Sequence, residues 1–422
     1  MPSAVPPKPT NPRHHTRVSK DDHHLPDPPQ ETCDFINRRV RGNPHLCRPN
    51  FDYRAYCADR NYSTYEYSIG GTDGVAFVDA GVISLLPVAF LQSPCLPVTD
   101  ASLEISQTEN KGLGTFVRCK FSADETILLE HPSIVVPYLK ATAMSLSELY
   151  TSLFEKLPPQ SHKTLTSLFS SPLFDKLSRA EGIMFTNSIE IDLDVVQDKQ
   201  PELNNHRAIF LHTSRINHSC APNARVQWDY ASFELSVIAT RTINEGDEVT
   251  ISYVDPRFPR EARRQQLKET YGFDCQCDHC AKLATDEDSV KKSDAARLEL
   301  LTAPPAPGVE TWCLDTSSML DDSLVNAHKR RLELIEQEGL EALGCQRHYD
   351  VLTVWYGALS DKKRFREWAT KSMHTRMQGD PEIATMFGRW IQVPQTFPLW
   401  GERPSSPTKS KPSSPLTRHR AV

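Results

Sequence analysis

The period of the apolar positions changes several times along the chain. Between residues 103 and 137, LEISQTENKGLGTFVRCKFSADETILLEHPSIVVP alternates short β-branched runs with turn residues, which predicts several short strands. From 143 to 182, apolar residues recur at helical spacing in AMSLSELYTSLFEKLPPQSHKTLTSLFSSPLFDKLSRAEG, which predicts a helical insert. Strand-like pieces return at 224–238 and 249–253, separated by the sharp turn NEGDE. A helix is expected over about 259–270, with Pro259 pre-set for its first turn. Beyond 283, DSLVNAHKRRLELIEQEGLEAL, YDVLTVWYGALS and KKRFREWATKSMHTRM predict antiparallel helices packed on one face, a solenoid-like end piece. The class is α+β.

The remaining segments are less regular. Residues 1–30, rich in Pro and His, and the basic Ser/Pro-rich 401–422 show no apolar period and are expected to lack a core. Residues 31–100 define no element, although the tyrosines of RNYSTYEYS imply some order. Within them, GVAFVDAGVISLLPVAFL at 74–91 is nearly long enough to cross a bilayer. It contains Asp79 and Pro87 and lacks basic flanks, so it is expected to be buried or irregular rather than membrane-spanning.

Composition narrows the function classes. The 422 residues suffice for two or three domains, and 38% hydrophobic with 24% charged content is that of a soluble globular protein. A net charge of −6 excludes the whole molecule as a polyanion binder, so direct nucleic-acid binding is not expected. No apolar secretion signal opens the chain, so clustered thiols are expected to bind metal rather than to form disulfides.

Eleven cysteines are spread irregularly except at YGFDCQCDHC. There Cys275, Cys277 and Cys280 form C-x-C-x-x-C, which can wrap one zinc ion, although a structural site wants a fourth ligand. Cys220, in the segment NHSCAPN, is the natural candidate because it lies in the other thiol-bearing loop; the bland alternative is free thiols in a surface turn. Cys33, Cys47, Cys57 and Cys95 have no metal-site spacing. In NKGLGTF, Gly112 and Gly114 permit a tight turn or a close backbone approach to a ligand. Tyr253 ends GDEVTISY at a strand terminus; taken alone it is an ordinary boundary tyrosine.

The order of these features carries more than each one. G-x-G, NHSC-x-PN, E-x-x-x-x-Y and Y-x-F-x-C-x-C-x-x-C together resemble the SET-domain protein lysine methyltransferases, especially the SET-and-MYND subgroup and its fungal relatives. The resemblance runs from about Leu103 to Cys280. It implies a SET-domain β-clip over 101–258 with the helical insert, a post-SET zinc knuckle over 259–282, and a helical C-terminal domain over 283–400. NHSC would lie in a chain crossing threaded beneath a later segment. By similarity, Lys111, Gly112, Leu113, Gly114, Asn187, Asn217, His218 and Phe273 would meet S-adenosyl-L-methionine, and Tyr271 would line a lysine channel. Tyr253 would align amine and methyl, and Cys220, Cys275, Cys277 and Cys280 would bind Zn²⁺. Between Gly114 and Asn217 only Cys119 is a cysteine, so the subgroup's MYND finger is absent, and its recruiting role does not carry over.

The implied activity is methyl transfer from S-adenosyl-L-methionine to a lysine of a histone or another protein. A catalytically idle interaction scaffold is the alternative, opposed by the intact tyrosine, Asn-His pair and glycine loop. A zinc-based nucleic-acid binder fits poorly with the acidic balance. Expected partners are protein substrates, with no membrane. The expected location is nucleus or cytoplasm, the nucleus preferred from family habit and the weakly basic PTKSKP.

Overall fold

A computed structural model describes residues 61–83, 102–138, 144–193, 205–283, 286–303, 321–377 and 380–403. The terminal segments 1–30 and 404–422, and 84–91 of the apolar run, lie outside the described residues. Among the described residues, no helix is long and apolar enough to cross a membrane. The chain divides into two compact units.

The first unit opens with a hairpin inside the stretch where the sequence defined no element. Strand β1 (Tyr62–Ile69) returns as β2 (Thr72–Asp79) through Gly70–Gly71, both at positive φ, 55° and 79°. Two such residues between strands are the favoured two-residue hairpin turn. A short helix, α1 (Ala80–Ile83), follows. Val75, Ala76, Phe77 and Val78 on β2 are all buried, the continuous apolar run of a strand covered on both faces.

The strands β3 (Leu103–Gln107), β4 (Leu113–Val117), β5 (Thr126–Glu130) and β6 (Ile134–Pro137) follow. Helices α2 (Leu146–Glu155), α3 (Pro159–Thr166) and α4 (Arg179–Asn187) make up the helical insert, which runs on past 182. Ser145 with Glu148 and Ser178 with Glu181 close reciprocal capping boxes on α2 and α4. Each serine cap contributes about 1 kcal/mol. Strands β7 (Ile189–Asp192) and β8 (Asn205–Ile209) complete a five-stranded sheet of order β1-β2-β6-β8-β7. The hairpin joins it by parallel pairing of β2 with β6 at Val75↔Ile134 and Ala76↔Val135. The main core lies here: Phe77, Ile134, Leu153, Ile183 and Phe210 are all at most 2% exposed.

Three further pairings place the site. Strands β3 and β4 form a hairpin, and β10 (Ala224–Asp229) and β11 (Glu234–Ala239) join β5 in a three-stranded sheet. Strand β9 (Asn217–His218) runs parallel to β12 (Thr250–Ile251), pairing Asn217 with Thr250 and His218 with Ile251. The apolar run at 249–253 thus supplies only two strand residues. Helix α5 (Arg260–Tyr271) starts one residue after Pro259, and α6 (Asp278–Leu283) follows it.

The second unit contains α7 (Glu287–Thr302), α8 (Asp321–Glu338), α9 (Gln346–Ala358), α10 (Lys362–His374) and α11 (Pro381–Gln392). Its core gathers Leu352, Trp355, Phe365, Trp368, Phe387 and Phe397. Asp361 and Asp380 cap α10 and α11 by accepting from the Arg364 and Ile383 amides. A buried ion pair ties α7 to α8: Arg297 Nε donates to Glu338 Oε2 at 2.9 Å, and Ser293 Oγ donates to the same oxygen at 2.5 Å.

Candidate active site and metal centre

Four thiols meet inside the first unit. Cys220 follows β9, Cys275 and Cys277 lie between α5 and α6, and Cys280 is in α6; all four are buried. Their Sγ atoms lie within 4.8 Å of one another, with Cys220 3.8 Å from Cys275 and 3.6 Å from Cys280. A disulfide needs about 2.05 Å, so none of these contacts is one. A tetrahedron with Zn–S bonds of ~2.3 Å has S–S edges of about 3.8 Å, so the donor set fits a structural zinc ion in chemistry and size. The Cys220 amide points at Cys277 Sγ (3.4 Å), and hydrogen bonds from the neighbouring thiols hold the Cys277 thiol well below its ordinary range. Arg263 of α5 is fully buried beside them; burial works against its charge, and Cys220 and Cys280 more than offset that.

His218 lies between this cluster and Tyr253. Its Nδ1 accepts from the Tyr253 amide at 3.0 Å, which places the proton on Nε2, 3.3 Å from Cys220 Sγ. Burial pushes its imidazole down to about 4, so the ring is neutral at pH 7. With both ring nitrogens engaged, the side chain of His218 braces the segment between the thiol cluster and Tyr253. Three aromatic rings gather over it. Tyr253 stands 5.0 Å from Tyr271 and 6.5 Å from Phe273, and His218 is 6.2 Å from Phe273, centroid to centroid. Tyr253 Oη donates to Ile216 O at 2.6 Å, and burial raises its pKa above the usual tyrosine value, so the hydroxyl keeps its proton. Tyr271 Oη reaches Tyr253 O at 3.4 Å.

The glycine loop joins from β3–β4. Thr108 fastens it by accepting from the Lys111 amide (2.9 Å) and donating to Gly112 O (2.8 Å). Asn217 Nδ2 donates to Leu113 O at 3.2 Å and to Glu248 Oε1 at 2.8 Å, and Lys111 Nζ pairs with Glu248 Oε2 at 2.7 Å. Asn110 reaches the cysteine segment through Gln276, 3.1 Å away. Lys111, Gly112, Leu113, Gly114, Asn217, His218, Tyr253, Tyr271, Phe273 and the four cysteines are therefore linked by contacts within one region. Asn187 stands apart at the end of α4. Its amide donates to Phe169 O (2.7 Å) and Ile183 O (2.8 Å), and its link to the Asn217 segment is a carbonyl accepting from Ser214 Oγ at 3.4 Å.

Two residues were missed in the sequence. Glu248 had a signal, since it is the acidic residue of E-x-x-x-x-Y. Arg263 had none: REARRQQLKETY is a polar helix in which nothing marks one arginine for burial.

Residues 112–254 match the SET domain family model. The chain carries a SET domain. The SET match takes in the glycine loop, the helical insert, NHSC and Tyr253, and leaves the hairpin at 62–79 and the C-x-C-x-x-C segment outside. Over 110 residues the chain is 40% identical to a SET and MYND domain-containing protein of Dictyostelium discoideum (25% of this chain, 32% of that protein). Over 102 residues it is 40% identical to N-lysine methyltransferase SMYD2-B of Xenopus laevis (24% and 21%). Over 192 residues it is 27% identical to histone-lysine N-methyltransferase set5 of Schizosaccharomyces pombe (45% and 53%). The matches thus span from about a fifth to about a half of these relatives' length. The α+β SET-domain architecture with a helical C-terminal region is as the sequence implied.

Proposed function

We propose that this protein is an S-adenosyl-L-methionine-dependent protein lysine N-methyltransferase with a structural Zn²⁺. The observation that carries this reading is the meeting of Tyr253, Tyr271, Phe273 and the Asn217–His218 segment beside four buried thiols in a chain with a SET domain. When bound, S-adenosyl-L-methionine supplies a methyl group on a sulfonium cation. Lys111 to Gly114, Asn217, His218 and Phe273 would hold it, with the backbone of His218 facing it because both ring nitrogens are engaged. Asn187 would join them from the end of α4.

The reaction asks two things of the chain: alignment of the acceptor and loss of its proton. A free lysine has a pKa near 10.4 and is charged at pH 7. Tyr253 and Tyr271, rings 5.0 Å apart, would form an aromatic wall that disfavours the ammonium form and lowers that pKa. The Tyr253 hydroxyl, fixed on Ile216 O and kept protonated by burial, would orient the amine without serving as a base. Zinc would hold the segment carrying Tyr271 and Phe273 in place. The substrate would be a lysine of a histone or another protein, the chemistry that the names of the relatives state for those proteins.

The test is transfer from labelled S-adenosyl-L-methionine to histones and to a nuclear extract, by wild type and Tyr253→Phe. Labelling by the wild type is expected, with turnover lowered tenfold or more in the variant, the scale of one lost positioning contact. Absence of both transfer and calorimetric binding would overturn the reading. Binding without labelling would overturn the substrate class alone.

A further inference from the structure

Glu248 joins three segments. It faces Phe116 across an antiparallel bridge, with Val249 N bonded to Thr115 O at 2.8 Å and Val117 N to Asp247 O at 3.1 Å, so the backbone fixes where its side chain begins. One carboxylate oxygen accepts from Lys111 Nζ and the other from Asn217 Nδ2, whose amide also reaches Leu113 O. The Lys111 and Glu248 side chains are 27% and 17% exposed, which weakens screening by water and salt relative to an open surface pair.

Gly114 points to the same clamp from an independent direction. A Cβ there would stand 2.7 Å from Glu248 Oε1 and 2.9 Å from both Asn217 Nδ2 and Thr108 Cγ2. A free carboxylate would swing aside, but this one is tethered at both oxygens. The two glycines of the loop therefore differ: Gly112 answers a φ of 73° in open space, and Gly114 leaves room for the clamp.

We propose that Glu248 is a positioning residue for the methyl-donor site, clamping Lys111 of the glycine loop to Asn217 so that the loop is ordered before the donor binds. This rests on the methyltransferase reading above. Without the carboxylate, the loop keeps its β3–β4 hairpin and the Asn217 bond to Leu113 O but loses the tie between Lys111 and Asn217. Donor binding must then order it, which weakens affinity more than turnover.

The test uses the full chain with zinc content and melting temperature monitored. Glu248→Gln removes the ion pair and leaves an acceptor for Asn217. It is expected to raise KM for S-adenosyl-L-methionine, and Kd for S-adenosylhomocysteine, roughly three- to tenfold, with kcat within about twofold. Gly114→Ala, which changes no charge, is expected to act in the same direction. Exchange of the pair (Lys111→Glu with Glu248→Lys) is expected to recover part of the affinity, because it restores the ion pair with its charges reversed. Should Glu248→Gln fail to fold, Lys111→Met breaks the same pair from its other end. Wild-type KM and Kd in Glu248→Gln, or in Lys111→Met where that variant stands in, would overturn the inference alone. No donor binding by the wild type would overturn the methyltransferase reading and the inference with it.

Discussion

The two units each bury a polar cluster, and the clusters are built on opposite principles. In the helical unit, Arg297, Glu338 and Ser293 bring a cation, an anion and a donor, so the group is neutral, and Arg297 also donates to the Pro256 carbonyl. In the first unit, four thiols of one kind converge on Cys220, with Arg263 as the cationic neighbour. Four sulfur donors, with Cys220 3.8 Å from Cys275 and 3.6 Å from Cys280, bring no cation of their own, and such a set suits a cation held at its centre. The difference teaches that the helical unit carries its counter-charge in its own sequence, whereas the thiol cluster offers four like donors that a metal cation would complete.

The largest expected effect follows from that contrast. Chelation, or Cys220→Ser, should remove one equivalent of zinc and lower resistance to urea by several kcal/mol, since structural zinc binding amounts to ~10 kcal/mol in small domains. Metal analysis with urea titration checks this; zinc retained by Cys220→Ser would remove Cys220 from the ligand set. Next comes the helical pair. Glu338→Leu leaves Arg297 buried without its carboxylate and should cost about 3–5 kcal/mol, with zinc still at one equivalent. The double variant Arg297→Met/Glu338→Leu should recover part of that loss, because two apolar side chains leave no uncompensated charge while Pro256 O loses its donor. A double variant as unstable as the single one would show that the pair does more than neutralise itself.

The smallest effect is pH-dependent. His328 and His348 meet through their Nδ1 atoms at 2.8 Å across α8 and α9; burial first, then for His328 the His348 ring, and for both Arg331 and Arg347, push them down to about 4. A depressed imidazole favours the fold while neutral. Its contribution is therefore complete above pH 6.5 and declines as pH falls from 6.5 towards 4. Of order 1 kcal/mol should disappear over that window, and His328→Gln should flatten the loss in urea titrations at stepped pH. An unchanged pH slope in that variant would assign the dependence elsewhere.

Legibility followed the range of the interaction. The helical insert was readable over 143–182 because its apolar spacing lies within one turn or two, whereas α4 runs on to Asn187; the capping boxes at Ser145 and Ser178 that start α2 and α4 lie within the same short range. The hairpin at 62–79 had its signal too, Gly70–Gly71 between two strand-like runs, but the tyrosine cluster hid the alternation. Cys275, Cys277 and Cys280 have metal-type spacing that the sequence shows by itself, their meeting with Cys220 is a tertiary fact, and the order of motifs pointed to the SET domain.

What the sequence determined by itself was therefore local: element types, caps, the glycine turns and the chemistry of each motif. Tertiary structure alone decided which residues meet. Parallel pairing of β9 with β12 brings Asn217 within reach of Glu248, 31 residues away. The same packing sets Cys280 against Cys220, 60 positions apart, and Lys111 against Glu248 across 137. Such partners share no period or turn chemistry; burial of separate apolar faces brings them together, and nothing local encodes which faces pair.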